Sequence, residues 1–255
     1  AGKVLMTTVS MVDDLHRWRT NWTIRVKVLK KWKEYGARGK EILHFLLADE
    51  NERKIHASVD WSSLVRRFDT IMLEGEWKVI TNFVVKDYSS RHRLSFVRVE
   101  INLVENTTIF NATVNNDSHF TDFVSFGAIK SGIADSSYPI DLIGYVDFVW
   151  TNELVMDPSF VGDYLNPQTN RIKIDLKDIN GYELQVFAYG KLAIEFMEKY
   201  SLHNVPGTVC VLTYWKIKKI NDTWEIMDNG AVSRFEFNPT LPEVYEYQNV
   251  MDARD

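Results

Sequence analysis

Three successive stretches in the first half of the chain are predicted to be strands, and hydrophobic and polar residues alternate in the first and the third. The stretches are WTIRVKVLKKW (22–32), EILHFLLADE (41–50) and KIHASVD (54–60). In the first stretch, apolar residues occupy every second position from Trp22 to Val28, and in the third they do so from Ile55 to Val59. Successive side chains of a β-strand point to opposite faces, so each stretch is predicted to be a strand with one polar face.

The period becomes helical directly after the third stretch. In WSSLVRRFDTIML (61–73), Leu64, Val65 and Phe68 recur at spacings of three and four, which predicts a short amphipathic helix. A turn and a fourth strand follow in EGEWKVITNFVVKDY (74–88), and RLSFVRVEINL (93–103) is predicted to be a fifth strand.

The same order of elements returns in the second half. PIDLIGYVDFVW (139–150) is predicted to be a strand, and residues 169–190 hold two alternating runs around Asn180-Gly181, a strong hairpin signal. KLAIEFMEKYSL (191–202) is predicted to be a helix. A strand, TVCVLTYWKIKKI (208–220), and the start of a closing hairpin, NDTWEIMDN (221–229), follow it.

Five strands with a helix between the third and the fourth is the element order of an OB-fold barrel. The sequence therefore predicts an all-β protein of two tandem five-stranded OB-fold barrels, each with a short helix between strands 3 and 4. We expect a first domain over residues 1–110, a linker over 111–135 and a second domain over 136–255.

Charge separates the two halves of an otherwise ordinary globular composition. The chain has 255 residues, of which 45% are hydrophobic, and a net charge of −5 that divides into +5 over 1–110 and −10 over 111–255. An anionic partner is therefore expected at the first half. No membrane role is predicted, because no apolar run spans a bilayer and no signal-peptide pattern opens the chain. The single cysteine, Cys210, excludes an internal disulfide and fits a reducing compartment.

Motifs of catalysis and cofactor binding are missing from the sequence. It has no glycine-rich phosphate loop, no HExxH, no CxxC and no GxSxG. Its six histidines are scattered, and their spacing indicates no metal site. We therefore predict no enzyme activity, no cofactor and no metal.

Several stretches resemble the large subunit of replication protein A, and more closely its divergent plant-type relatives. They are WTIRVKVLKKW, LLADENERKIHASV, LIGYV, FAYGKLAIEF and FNPTLPEVYEY, the last with an Asn-Pro-x-x-Pro-Glu run at 238–243. The family's Trp-Gly pair before the second helix is Tyr189-Gly190 here. The resemblance implies single-stranded DNA binding in the nucleus, in replication, repair, recombination or telomere maintenance. It also implies other subunits of the replication protein A type, or further proteins, as partners.

The resemblance also implies four positions at which an aromatic ring stacks on a base. The first falls on Asp60, with Trp61 beside it, and the second falls near Leu94, with Phe96 two residues on. In the second domain the positions fall on Tyr189 and near Ile220, with Trp224 four residues later. Only Tyr189 is an aromatic residue in register, so Trp61, Phe96 and Trp224 are predicted as substitutes.

Basic and aromatic residues are interleaved in two segments that would flank the first groove of an OB barrel. Such mixtures suit a single strand, because bases stack on rings and phosphates pair with cations. With the polar face of the third strand, they supply the remaining predicted nucleic-acid contacts, which are Lys31, Trp32, Lys33, Arg38, Lys54, His56, Arg91 and Arg93. The alternative is two solvated hairpins, with Trp32 packed as a lid.

Three functions remain open on the sequence alone. The leading hypothesis is a binder of single-stranded DNA without catalysis. The second is an OB-fold scaffold for protein partners, favoured by the carboxylate of Asp60 and by the acidic second half. The third is an RNA binder, since OB domains bind both nucleic acids.

Overall fold

The computed structural model of the chain describes residues 8–36, 39–88, 93–157, 168–203 and 205–252. Contacts between residues divide the chain into two compact units, Ala1–Phe120 and Thr121–Asp255. We refer to them as the first unit and the second unit.

The first unit is mostly β-structure, with a 3-10 helix at Val12–Asp14. Its strands and α-helix, in chain order, are β1 (Thr23–Tyr35), β2 (Glu41–Ala48), β3 (Lys54–Val59), α1 (Ser62–Ile71), β4 (Trp77–Thr81), β5 (Val84–Asp87), β6 (Val99–Asn102) and β7 (Thr108–Ala112). The predicted strands and helix are therefore present, and β1 continues three residues beyond its predicted end at Trp32.

These strands close into a barrel. Strand β1 pairs with both β2 and β4, β2 pairs with β3, and β3 runs parallel to β6, which pairs with β5. The fourth strand predicted from the sequence is divided into β4 and β5 at Asn82, whose φ is 57°. This bend lets one stretch of chain pair with β1 at its start and with β6 at its end, which completes the ring.

The barrel interior of the first unit is filled by the apolar face of each strand. Trp22, Phe45 and Phe68 are among its largest fully buried side chains. Helix α1 contributes Val65 and Phe68, as its spacing predicts, and packs against β2 and β3. Burying such side chains stabilises a fold by roughly 1.5–3 kcal/mol each. The apolar face of each strand is therefore held inward, and the opposite face is the one that a ligand can reach.

The second unit has the same plan with additional elements. Its elements, in chain order, are α2 (Phe126–Lys130), β8 (Ile140–Val149), β9 (Glu153–Met156), β10 (Gln168–Lys177), β11 (Glu183–Tyr189), α3 (Gly190–His203), β12 (Val209–Ile220), β13 (Thr223–Met227), β14 (Arg234–Phe237) and α4 (Pro242–Asp252). Strand β8 pairs with β10 and β12, β10 pairs with β11, and β11 runs parallel to β13, which pairs with β12. This is again a closed ring of five strands, with α3 between the third and the fourth.

The predicted fold class is confirmed: the protein is mostly β and carries two tandem OB-fold barrels, each with a helix between strands 3 and 4. The predicted hairpin turn is also present, with Gly181 at φ 84° and the Asp178 side chain accepting two turn N–H groups. Helix α2 falls inside the segment expected to be a linker. Its Phe126 and Ile129 are buried in the core of the second unit. None of the described helices is long and apolar enough to cross a membrane.

Candidate nucleic-acid interface

An OB barrel holds its ligand across the outer face of its second and third strands, between the loops that join strands 1 to 2 and 4 to 5. We call the outer face of β2 and β3 the first groove face; the described residues of the loops beside it are 36, 39–40, 88 and 93–98. We call the outer face of β10 and β11 the second groove face. Residues 150–152, between β8 and β9, and the turn at 221–222 lie beside it.

The floor of the first groove face is a pair of histidines joined by a hydrogen bond. Nδ1 of His44 on β2 lies 2.9 Å from Nε2 of His56 on β3, and Nδ1 of His56 lies 3.3 Å from Oε2 of Glu100 on β6. A carboxylate only accepts, so in the neutral pair His56 donates to Glu100 and accepts from His44. The indole of Trp32 on β1 lies nearly parallel to both imidazoles, with ring centroids 5.4 and 5.9 Å away.

Ionic contacts continue this network across β3, β5 and β6. The ammonium group of Lys86 lies 3.1 Å from Oε1 of Glu100 and 3.2 Å from Oδ2 of Asp60. The side-chain amide of Asn102 also donates to Asp60. Burial acts to raise the pKa of Glu100, but hydrogen bonds from His56 and Lys86 and the charges of these groups outweigh it and lower the pKa to about 2. Glu100 is therefore a fixed negative charge in the groove floor.

Burial is the main reason why the pKa of His44 is lowered, and the neighbouring His56 lowers it further. Burial therefore favours the neutral form of His44, which can donate its Nδ1–H to Nε2 of His56.

This network closes the first groove floor in the described structure. Trp32 is 8% exposed and His56 is 5% exposed, so neither ring offers an open face on which a base could stack. The alternative in which Trp32 packs as a lid is the one that the structure shows, and Trp32 and His56 are not exposed stacking residues.

Lys31 and Lys33 lie on the other side of β1 from Trp32. The ammonium groups of both pair with Asp69 of α1, at 2.8 and 3.1 Å, and Lys33 also pairs with Glu41. The hydrogen bond from Lys31 is the main cause that lowers the pKa of Asp69, and the bond from Lys33 adds to it. In the structure these two lysines hold α1 against the barrel, so their predicted contacts with phosphate, which stay a prediction, would require the pairs with Asp69 to open.

Exposed aromatic rings remain at both ends of the first groove face. Trp61, directly after β3, is 67% exposed, and Phe96, in the loop between β5 and β6, is 62% exposed. Lys54 lies on the polar face of β3 and Arg93 in the same loop as Phe96, and both are half-buried. Two further predicted contacts, Arg38 and Arg91, lie outside the described residues.

The second groove face combines rings and cations from three strands. Phe148 and Trp150, at the end of β8, are 53% and 46% exposed, and their ring centroids lie 5.1 Å apart. The ammonium group of Lys173 on β10 lies 4.5 Å from the centroid of the Trp150 ring. The indole N–H donates to Asp175 at 2.7 Å, which fixes the ring across the face, and Phe187 of β11 pairs with Lys173.

Tyr189 lies on the second groove face, and Trp224 lies beside it. Tyr189 is half-buried and pairs across the strands with Arg171, whose guanidinium also lies 5.6 Å from the ring of Phe187. Trp224 packs partly against the core of the second unit. It also lines a cavity of about 580 Å³ together with residues of the groove face such as Gln185.

Sequence reasoning missed the four residues that make up most of the second groove face, which are Phe148, Trp150, Lys173 and Phe187. Their strands were predicted, and alternation in RIKIDLK places Lys173 opposite the apolar positions. Because residues 111–255 carry a net charge of −10, the sequence led us to expect the anionic partner at the first half of the chain. The charge of a whole domain does not indicate the charge of one face.

Metal binding finds no support in the part of the chain that the structure describes. No group of three or more His, Cys, Asp or Glu side chains there is arranged to hold an ion. Cys210 is fully buried, and burial raises the pKa of its thiol well above the usual range. The groove faces therefore offer stacking, hydrogen bonding and charge as their chemistry.

Comparison with protein families gives one match, to the family described as domain of unknown function DUF223, over residues 13–132. The comparison with curated proteins finds no match. Among solved structures, the chain is similar to part of a replication protein A heterotrimer bound to single-stranded DNA, with a TM-score of 0.66 and 18% identity. That match covers 96% of this chain and 55% of the other, so this chain spans about half its length.

Two further solved structures match with lower similarity. A murine DNA-binding protein bound with double-stranded DNA is 14% identical, over 84% of this chain and 94% of the other, with a TM-score of 0.44. The Ifi202 HINa domain in complex with 20-base-pair DNA is 16% identical, over 86% and 97%, with a TM-score of 0.45. The architecture is argued from the match to the replication protein A chain alone, whose TM-score is 0.66. This chain is an OB-fold protein similar in fold to replication protein A.

Proposed function

We propose that the chain binds single-stranded nucleic acid, and that single-stranded DNA is its ligand. The observation that carries the proposal is the second groove face, on which the exposed rings of Phe148 and Trp150 lie beside Lys173. On the same face, Arg171 lies over the ring of Phe187 and pairs with Glu153. A single strand needs flat partners for its bases and cations for its phosphates along one path. Because the Trp150 ring is fixed by Asp175 and covered on one side by Lys173, it is oriented before any ligand arrives.

In the first unit, the proposed contacts with the nucleic acid lie at the ends of the first groove face and not on its floor. Its two histidines and Trp32 are closed off, so the exposed rings of Trp61 and Phe96 are the base contacts that we propose there. Lys54 and Arg93 are the accompanying cations. Arg38 and Arg91, in the loops beside the groove face, stay predicted phosphate contacts.

The wider role is also a proposal. The similar solved chain belongs to a replication protein A heterotrimer bound to single-stranded DNA, which makes that ligand the first to test. We extend the proposal to action in the nucleus, without catalysis, in replication, repair, recombination or telomere maintenance. Subunits of the replication protein A type are the proposed protein partners, and a plant-type large subunit is the proposed relative.

The test is a fluorescence anisotropy titration of the protein against a labelled oligo-dT, repeated over a range of salt concentrations. Lys173→Ala should weaken binding and reduce the slope of log affinity against log salt by about 0.7, the value for one lost phosphate contact on a single strand. The matched control is Lys199→Ala, because Lys199 is exposed on α3 and pairs with Glu195 one turn away. Equal slopes for the two variants would contradict the placement of the ligand.

A second candidate function, a scaffold for protein partners, is favoured by the closed floor of the first groove face. The carboxylates of buried Glu100 and half-buried Asp60 would repel a phosphate backbone, whereas a protein surface need not present negative charge to them. Failure of the wild-type protein to bind oligo-dT or oligo-U at low salt would favour this candidate. Tighter binding of oligo-U than of oligo-dT would make RNA the ligand.

A further inference from the structure

An exposed basic and aromatic segment precedes the first barrel. After the 3-10 helix, the chain passes through His16, Arg17, Trp18 and Arg19 before β1 begins at Thr23. Trp18 is 79% exposed, although indole is among the most costly side chains to leave in water. We call residues 17–19 the Arg-Trp-Arg segment.

Contacts on both sides hold this segment in place. The guanidinium of Arg17 lies 4.1 Å from the centroid of the Trp18 ring and forms an ion pair with Asp87. The guanidinium of Arg19 lies 4.3 Å from the ring of Trp22, which is buried in the barrel core. The indole of Trp18 therefore has a cation on one side, and its 79% exposure leaves ring surface open to a ligand.

The ion pair with Asp87 places the segment at one end of the first groove face. Asp87 is the last residue of β5, and the loop that bounds the groove begins at the next residue, Tyr88. The ring of Tyr88 lies 6.1 Å from that of His56 in the groove floor. Asp87 and Tyr88 therefore link the Arg-Trp-Arg segment to the groove floor, so a single strand that leaves the floor past Tyr88 would meet the segment.

The charge of the segment is available to an anion. Arg19 has no ion-pair partner among the residues that the structure describes. The nearby acids are occupied, since Asp13 pairs with Arg53 at 2.9 Å and Asp14 accepts the N–H of Met11. The pair of Arg17 with Asp87 is exposed, and such pairs are weak enough for a phosphate to share the guanidinium.

We infer that the Arg-Trp-Arg segment is an additional subsite for single-stranded nucleic acid, outside the groove of the first barrel. A base stacks on the open face of Trp18, and Arg19 contacts an adjacent phosphate. Arg17 supports the ring and orients the segment through Asp87. This inference rests on the proposed function, because it extends the path of the same ligand.

The experiment measures oligo-dT affinity and its salt dependence for Trp18→Ala and Arg19→Ala in the full chain. Loss of a stacked base should reduce affinity roughly five- to 150-fold, and loss of Arg19 should lower the salt slope by about 0.7. The thermal midpoint of Trp18→Ala should stay at the wild-type value, because its indole is exposed. Arg19→Ala also removes the contact with the Trp22 ring, so its affinity is measured well below its own thermal midpoint. The oligonucleotide should be about 40 nucleotides long, to exceed the site size of two OB barrels, which reaches about 32.

Matched controls come from exposed residues elsewhere in the first unit. Phe110→Ala removes a ring that is 62% exposed on β7, a strand that pairs with β4 on the side of the barrel away from the groove face. Arg66→Ala removes an exposed cation from α1. If Trp18→Ala and Arg19→Ala match these controls while the wild type binds, the inference is wrong and the proposed function stands. A wild type that does not bind oligo-dT would overturn both.

Discussion

The polar network under the first groove face predicts a measurable dependence of stability on pH. The perturbation is Glu100→Gln, which keeps the shape of the side chain and removes its charge. Glu100 is 4% exposed and is the common partner of His56 and Lys86. Its pKa is lowered from the ordinary value of 4.5 to about 2 by those two partners acting against burial.

The magnitude follows from linkage between protonation and folding. One unit of pKa corresponds to about 1.4 kcal/mol, so ionised Glu100 stabilises the folded state by about 3 kcal/mol at pH 7. The folded-state pKa is the lower one, so this contribution is complete above pH 4.5 and is lost as the pH falls towards 2. The difference in unfolding free energy between wild type and Glu100→Gln should therefore shrink from about 3 kcal/mol at pH 7 to about 1 at pH 3.

The assay is denaturant unfolding of both proteins, followed by tryptophan fluorescence at several pH values from 7 to 3. Glu195→Gln serves as the control for removing a carboxylate, because Glu195 forms an exposed pair with Lys199 worth at most about 0.5 kcal/mol. A Glu100→Gln variant that is as stable as the wild type at pH 7, or a difference that does not change with pH, would refute the reasoning.

The remaining predictions concern single aromatic and histidine side chains. Trp150→Ala should weaken oligonucleotide binding by about 1–3 kcal/mol with the thermal midpoint kept, whereas Trp215→Ala, at 0% exposure, should cost about 3–5 kcal/mol of stability. Trp32→Ala should lower the thermal midpoint, because the ring covers the histidine pair, while Trp61→Ala should lower affinity alone. Burial lowers the pKa of His44 below 6.5, so stability should fall as the pH drops from 6.5, and His44→Gln should lose that part of the pH profile in unfolding titrations.

Local pattern was sufficient for most of the fold. Alternation located the strands, the spacing of Leu64, Val65 and Phe68 located α1, and Asn180-Gly181 located a hairpin, because each signal depends on neighbours within a few residues. The resemblance to replication protein A, rather than local pattern, singled out Trp61 and Phe96, which are exposed rings in the structure. Local pattern could not find the second groove face, since Trp150 and Lys173 are distant in sequence and meet only when β8 pairs with β10.

The side of β1 on which each residue lies was decided by the tertiary structure. If the alternation from Trp22 to Val28 continued without interruption, Trp32 would lie on the core side of β1. Lys31 and Lys33 would then lie on its outer side, which faces the ligand. A bulge between Val28 and Lys30 shifts the register against β2. Since strand side chains have a period of two, a shift of one residue exchanges the faces for every residue beyond it. Trp32 therefore covers the groove floor and the two lysines bind α1, an outcome fixed by the pairing of β1 with β2.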